Sequence, residues 1–397
     1  MELFHDPNYH WVKYRNYAVI GSLVFILTGF ASFFWRGLNL GIDFSGGASI
    51  VVKFAEQVPV QTLRSHLPDA TIQRYGAPED NTVLIRLPEQ KGEGDYAGRV
   101  VNQLYGVING DVGNKIDLNF KGRDTLSELL MQNDPDSKGS GPQAETYYAD
   151  LSENIIAKRS ELGIFTSMSQ VTSIPGVSSA TARVLSEHTM LGKMNVLNQE
   201  TVGPQVGREL KTKAILAVIL STLAIGAYIT IRFDLKFGIG AVVALTHDVF
   251  AAFAFLIMIH AEVSLLMIAA FLMIVGYSVN DTVVTYDRVR ENQRKSRVKQ
   301  PFAEILDLSI NQTLSRTILT SGSVVLVLIA LIVFGGEVIH DFAWILLIGV
   351  IAGTYSTLMI VTAFVIWWER HITKGDVFER GESRAAAEAK GKNRVRA

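Results

Sequence analysis

Six long apolar runs punctuate the chain, and a long polar block separates the first from the second. A helix needs about 20 apolar residues to cross the hydrocarbon layer of a bilayer. Tyr17–Trp35, Ala214–Ile231, Gly238–Ile259, Val263–Tyr286 and Ile318–Phe334 meet that requirement. Phe342–Trp368 exceeds it and has to tilt or protrude. Gly29 and Ala31 in the first run would suit a signal-peptide cut. However, Ser32-Phe33-Phe34-Trp35 carries the apolar stretch past it, so the run reads as a retained anchor.

Lys and Arg in short loops set orientation. Basic residues flank the first run (Lys13, Arg15), join the second to the third (Arg232, Lys236) and crowd the loop after the fourth. That loop carries Arg288, Arg290, Arg294, Lys295, Arg297, Lys299 and Arg316. His260–Glu262 and Gly335–Asp341 carry none. The alternation places both termini in the cytoplasm and the large polar block outside.

Within that block, Leu40 to Gly47 leads out of the first span into a tight turn at Gly46-Gly47. Ala48–Phe54, Ala70–Tyr75, Thr82–Leu87 and Lys115–Phe120 alternate as strands. Val58–Leu67 and Asp95–Ile108 have helical periodicity. The order β-α-β-β-α-β predicts an α+β, ferredoxin-like domain. Further helices follow at Asp124–Met131, Ala144–Gly163 and Ser178–Ser186, with a polar linker at Asn133–Pro142 and a further strand at Asn195–Val202. The expected division is residues 1–36 for the flank and first span, 37–210 for the external domain with its helical extension at about 122–197, 211–368 for the remaining spans, and 369–397 for a basic tail. The fold class is thus a polytopic α-helical membrane protein with six transmembrane helices and an α+β external domain between the first two.

Composition agrees. Of 397 residues, 48% are hydrophobic and 19% charged, below the ~25% charge usual in soluble domains; the mean hydropathy is +0.24. These values exclude an ordinary soluble enzyme and a disordered chain. A net charge of −1 gives no global field that would draw nucleic acid. With no cysteine, thiol catalysis and cysteine–metal sites are excluded. No nucleotide loop, metal-ligand spacing or nucleophile–base motif stands out, so neither an enzyme nor a bound cofactor is expected. Ser173-Ile174-Pro175-Gly176-Val177 resembles a phosphate-gripping hairpin between helices, but Ser178 stands where a second glycine is wanted. A capped helix start is the better reading.

The informative residues are ionisable groups inside the spans. Asp281 lies six residues before Asp287, where the charged loop begins, and so roughly 9 Å inside the end of the fourth span. A carboxylate there costs several kcal/mol unless paired, hydrated or protonated, which makes Asp281 a candidate proton carrier. Arg316 opens the fifth span at matching depth, with Thr320 one turn further in and Asn280 beside Asp281. An Asp281–Arg316 pair would give a switchable site. Asp248 sits near the middle of the third span; His247 precedes it, about 100° around the helix, a spacing that predicts no close contact. The plainer reading of each is helix–helix hydrogen bonding, or, for Arg316, a boundary marker. Gly349 and Gly353 are spaced for close helix approach.

Taken together, Leu40-Gly41-Ile42-Asp43-Phe44 with Gly46-Gly47, Val202-Gly203-Pro204, Phe233-Asp234, Thr246-His247-Asp248, Gly276-Tyr277-Ser278-Val279-Asn280-Asp281-Thr282, Asp287-Arg288, Arg290-Glu291-Asn292 and Ser315-Arg316-Thr317 resemble the SecF family of Sec preprotein translocase subunits, within the resistance–nodulation–division superfamily. The resemblance implies an accessory subunit that works with SecD beside the SecYEG channel. It implies that the proton motive force, with Na+ in some relatives, drives late export of preprotein after SecA. YajC and membrane lipid complete the implied surroundings, without nucleic acid. It assigns Asp281, Arg316, Asp248, Asn280 and Thr320 to ion coupling, and Asp43, Gly46, Gly47, Gly203 and Pro204 to a structural motif. Gly122 to about Leu197 departs from the family pattern. A proton-driven small-molecule efflux half-transporter and a passive assembly factor are the alternatives.

Overall fold

The computed structural model describes residues 7–88, 95–110, 112–295 and 300–373. The basic tail beyond 373, and Arg297 and Lys299 of the charged loop, lie outside the described residues. The chain divides into two compact units, residues 42–209 and the remainder.

The chain enters α1, Trp11–Arg36. The amide nitrogens at its start have no partners within the helix. Asp307 and Asn311 supply partners: Val12 N donates to Asp307 Oδ1 at 2.9 Å and Tyr9 N to Asn311 Oδ1 at 3.2 Å, and the Trp11 indole Nε1 adds a bond to the same Asn311 oxygen at 3.0 Å.

Unit 42–209 begins with the one-turn helix α2, Ile42–Ser45, followed by β1, Gly47–Phe54. Then come α3, Val60–His66, β2, Thr71–Arg74, β3, Thr82–Leu87, and α4, Tyr96–Asn109, which Asp95 caps by accepting from Gly98 N at 2.8 Å. Next are β4, Ile116–Asp117, and the helices α5, Arg123–Asn133, α6, Pro142–Leu162, α7, Met168–Thr172, and α8, Ser179–His188. The unit closes with β5, Thr189–Met190, and β6, Met194–Val202.

The main sheet has the order β2-β3-β1-β6, every neighbouring pair antiparallel. With β6 as its fourth strand this is the ferredoxin-like order. Lys115–Phe120 is not that strand. Only Ile116–Asp117 is extended, and it pairs in parallel with β5 in a separate two-stranded sheet. Asp117 explains the break: its Oδ1 accepts from Asn119 N and Gly192 N, both at 2.8 Å, folding the segment onto the return strand. The helical extension is therefore an insertion between the second helix and the last strand of the sandwich. Asn119, fully buried, fastens it: its side chain donates to Phe165 O and Gly192 O and accepts from Phe165 N, at 2.8–2.9 Å.

Each part has its own core. Ile50, Val52, Phe54, Val83 and Ile85 pack against Leu63 of α3 and Val100 and Leu104 of α4. Leu126, Leu130, Tyr148, Leu151, Ile155, Phe165 and Leu185 form the core of the insertion. The polar linker is ordered by two carboxylates. Asp134 accepts from Tyr148 OH, Lys138 N and Gly139 N at 2.7–2.9 Å. Asp136 accepts from Ser178 Oγ, Thr181 Oγ1 and Tyr147 OH at 2.5–3.1 Å. Ser178 in turn caps α8, accepting from Thr181 N at 3.0 Å.

Beyond the domain run α9, Pro204–Arg232, α10, Leu235–Ile259, α11, Leu265–Lys295, α12, Phe302–Phe334, and α13, Glu337–Tyr355. A π-helical turn, Ser356–Ile360, joins α13 to α14, Val361–Trp368. With α1, six helices among the described residues are long and apolar enough to cross a membrane, the last counted through its π-turn, and the protein is a polytopic α-helical membrane protein. The last span occupies the middle of the bundle: 72% of its apolar window is buried, against 6% for α1 and 17% for α12. Polar groups on that span are thus the ones other helices must satisfy.

Candidate ion-coupling site

Ser278, Asp281, Thr282 and Thr285 stand at i, i+3, i+4 and i+7 on α11 and so share one face. All four are buried. Asp281 is 3% exposed. Ser321 Oγ of α12 donates to its Oδ2 at 3.2 Å and Thr320 Oγ1 approaches its Oδ1 at 3.4 Å. Ser321 accepts in turn from Thr354 Oγ1 of α13 at 2.8 Å. A path of hydroxyls thus joins the carboxylate to the central span.

Arg316 does not complete this site as expected. No ion pair within 4.0 Å joins it to Asp281 among the described residues, and its side chain is exposed. It stands one turn before Thr320, whose hydroxyl also donates to the Arg316 carbonyl at 3.0 Å. Arg316 is therefore exposed at the depth of Asp281 and not in direct contact with it. Asn280 is exposed too, because it stands one position, about 100°, around α11 from Asp281.

Asp248 is wholly buried and lies in a second cluster. His247 Nδ1 donates to its Oδ1 at 2.9 Å. Ser278 Oγ of α11 and Ser356 Oγ of the π-turn both donate to Oδ2, at 2.6 and 2.9 Å. The imidazole is held on its far side by a short hydrogen bond between Nε2 and Ser22 Oγ of α1. Contact between His247 and Asp248 corrects the expectation from helical angle. Consecutive Cα atoms are only 3.8 Å apart, and both side chains are long enough to bend toward each other across that gap. The hydroxyl, imidazole and carboxylate also form a nucleophile–base arrangement that the sequence motifs did not reveal. It joins α1, α10, α11 and the last span. Thr282 and Thr357 share a further bond at 2.9 Å.

Ser321, Thr354, Ser278, Ser356 and Ser22 are the participants missed by sequence reasoning. Their signal is hydroxyl residues at helical spacing inside apolar runs, as on α11. Gly353 is part of the same packing: a Cβ there would lie 3.0 Å from Ser278 Cβ and 3.5 Å from Asp248 Oδ2.

The structural motif has its own geometry. Gly46 and Gly47 have φ of +74° and +112°, in the region that side chains avoid. Gly46 N donates to Ile42 O at 2.9 Å, closing the turn that contains the half-buried Asp43. Gly47 pairs with Val202 of β6, Gly203 follows, and Pro204 opens α9, where a missing N–H costs nothing.

Two family models match the chain: protein export membrane protein SecD/SecF, C-terminal, over residues 183–371, and the SecD/SecF GG motif over residues 31–58. The second contains Gly46 and Gly47. The protein translocase subunit SecF of Koribacter versatilis is 35% identical over 383 residues, covering 93% of this chain and 94% of that one. The SecDF subunit of Thermus thermophilus is 30% identical over 92% of this chain, which spans 39% of that longer protein. The crystal structure of Thermus SecDF, described as a translocon-associated membrane protein, is similar with a TM-score of 0.63 at 28% identity, over 92% of this chain and 39% of that one. The chain belongs to the SecF family of protein translocase subunits.

Proposed function

We propose that this chain couples the proton motive force to late-stage export of preproteins through the Sec translocase, with Asp281 as the group that takes up and releases the coupling ion. The supporting observation is the Asp281 cage. It consists of hydroxyls, and a hydroxyl can donate to a carboxylate or accept from a protonated carboxyl. An ion pair would stabilise one state only. The same buried site therefore serves both, and the path through Ser321 to Thr354 carries the change to the central span.

SecD is the partner this reading requires. Arg316 and Asn280 are exposed at membrane depth in the single chain, where lipid contact is costly; a covering helix bundle relieves that cost. The SecDF relatives carry the longer combined chain. SecYEG, SecA-driven preprotein and YajC are the wider assembly. The location is the bacterial cytoplasmic membrane with both termini inside, as the basic loops favour. The coupling ion is the proton, with Na+ as the alternative cargo. No chemical reaction or cofactor is assigned. The Ser22–His247–Asp248 chain serves as a clamp across α1, α10 and the last span.

At about 150 mV one proton supplies roughly 3.5 kcal/mol, enough to bias a two-state domain by a few hundredfold. The test is preprotein translocation into inverted vesicles containing SecD, with wild type and Asp281→Asn compared while the gradient is imposed or collapsed. Loss of gradient stimulation in the variant supports coupling; unchanged export supports a passive role.

A further inference from the structure

Arg232 ends α9, and Arg290, Arg294 and Lys295 lie on the last turns of α11. With Asp287 and Glu291 they line a cavity of about 470 Å³. Arg290 and Arg294 are four residues apart and share a helix face. Arg290 Nη1 donates to the carbonyl of Arg232 at 3.3 Å, which seats the end of α9 against that face. Glu291 is already engaged by Arg288 and Lys295, both at 2.6 Å. Among the described residues, none of Arg232, Arg290 and Arg294 has a carboxylate within 4.0 Å; Asp287, the other acid in the lining, forms no ion pair either. Three guanidinium groups thus converge on one cavity without direct contact to a carboxylate, and with Lys295 the cations of the lining outnumber its two acids, Asp287 and Glu291.

The surroundings say what kind of anion fits. Tyr228 lies one turn toward the membrane from Arg232 on the same face of α9 and is 57% exposed; the adjacent Ile231 is 87% exposed. A cationic cavity therefore meets an exposed apolar helix surface where two membrane-length helices end. Free phosphate would use only the first feature. A phospholipid uses both, its phosphodiester accepting from the planar guanidinium forks and its acyl chains lying along α9. Basic pockets between membrane helices are suited to such headgroups. We propose that this cavity is a binding site for an anionic phospholipid, with Arg290 and Arg294 as the principal headgroup ligands.

The test is lipid retention by the full-length chain purified in detergent, read by native mass spectrometry after addition of phosphatidylglycerol, phosphatidylcholine or inorganic phosphate. The expected result is a retained phosphatidylglycerol adduct that phosphatidylcholine does not reproduce and millimolar phosphate does not displace. Arg290→Gln/Arg294→Gln should lower its occupancy by at least about tenfold, and Arg74→Gln on β2 should not. Arg290→Lys/Arg294→Lys, which keeps the charge but not the planar forks, should retain more of it than the Gln variant and guards against a folding defect there. Equal retention in the Gln double variant, equal retention of phosphatidylcholine, or displacement by phosphate would overturn the assignment.

Discussion

Thr354 and Ser356 stand two residues apart on the last span and serve different carboxylates. Thr354 Oγ1 donates to Ser321, which donates to Asp281, whereas Ser356 Oγ donates directly to Asp248. Ser356 is also the first residue of the π-turn. Such turns carry one residue more per hydrogen-bonded ring than an α-helix and often mark functional sites. The central helix therefore reaches Asp281, through Ser321, from just before this π-turn and Asp248 from its first residue.

Ser321→Ala should cut that connection and leave Asp281 in place. A hydrogen bond to a charged group is worth about 1.5–3 kcal/mol. Gradient-dependent stimulation of translocation in vesicles should accordingly fall by roughly tenfold or more, and Thr354→Val should reproduce the defect. Ser323→Ala, which removes an exposed hydroxyl bonded only to the Thr320 carbonyl on the same helix, should have no effect. Equal loss in all three variants would point to general damage to α12 and the last span.

Asp248 holds three donors at once, so its loss orphans each of them. Asp248→Ala should destabilise the purified full-length protein by about 3–5 kcal/mol and lower its melting temperature in detergent by roughly 10 °C. Asp248→Asn retains one acceptor oxygen and should cost less. An unchanged melting temperature for Asp248→Ala would remove the clamp role assigned to this cluster.

The first and third spans approach most tightly at a pair of small residues, Gly29 and Ala254. A Cβ on Gly29 would lie 2.4 Å from Ala254 Cβ and 2.6 Å from its Cα, and backbone cannot yield as a side-chain end can. Nothing lies within 4 Å of the same position on Gly21, two turns earlier. Gly29→Ala should therefore destabilise by about 1–3 kcal/mol, and Gly21→Ala should be neutral or slightly stabilising. Thermal unfolding of the two variants side by side separates local packing from helix propensity.

The linker of the inserted helices should be sensitive to acid. Hydrogen bonds from Tyr148 and from Gly139 N hold Asp134 below the usual carboxylate range. Burial works against Asp136, but hydrogen bonds from Ser178, Thr181 and Tyr147 prevail and hold it low as well. The Tyr148 phenol, mainly through burial and then through Asp134, is pushed up to about 12. For a carboxylate depressed in the folded state, the stabilisation is complete above its unfolded pKa of about 3.9 and disappears as pH falls through the folded value. Hydrogen exchange should show the Lys138 and Gly139 amides losing protection below about pH 4, while the amides of β1 and β3 keep theirs. Uniform protection of both regions down to pH 2 would contradict this.

Much of the architecture was legible because apolar run length dictates membrane spans and alternation dictates strands. The six spans, and the place of Asp248 and Asp281 within them, follow from run length, and the turn at Gly46-Gly47 from the backbone freedom of paired glycines. The fourth strand of the sandwich did not, because strand pairing is decided by long-range contacts: Val202 reaches Gly47 across the whole insertion. Residues 115–120 have suitable residues for a strand, but Asp117 and Asn119 commit their side chains to Gly192 and Phe165 instead. The Arg316 geometry was illegible for a different reason. Sequence gives depth along a helix but not the azimuth at which two helices meet, and here Thr320 and Ser321 face Asp281 while Arg316 is exposed and makes no ion pair with it.

The most direct measurement is the rate of preprotein entry into inverted vesicles at fixed SecA and ATP, with SecD present and equal amounts of wild-type or Asp281→Asn protein. Wild-type vesicles should speed up when the proton gradient is imposed, and the variant should run at the wild-type uncoupled rate whether or not the gradient is present. Full gradient stimulation in the Asp281→Asn vesicles would contradict the account.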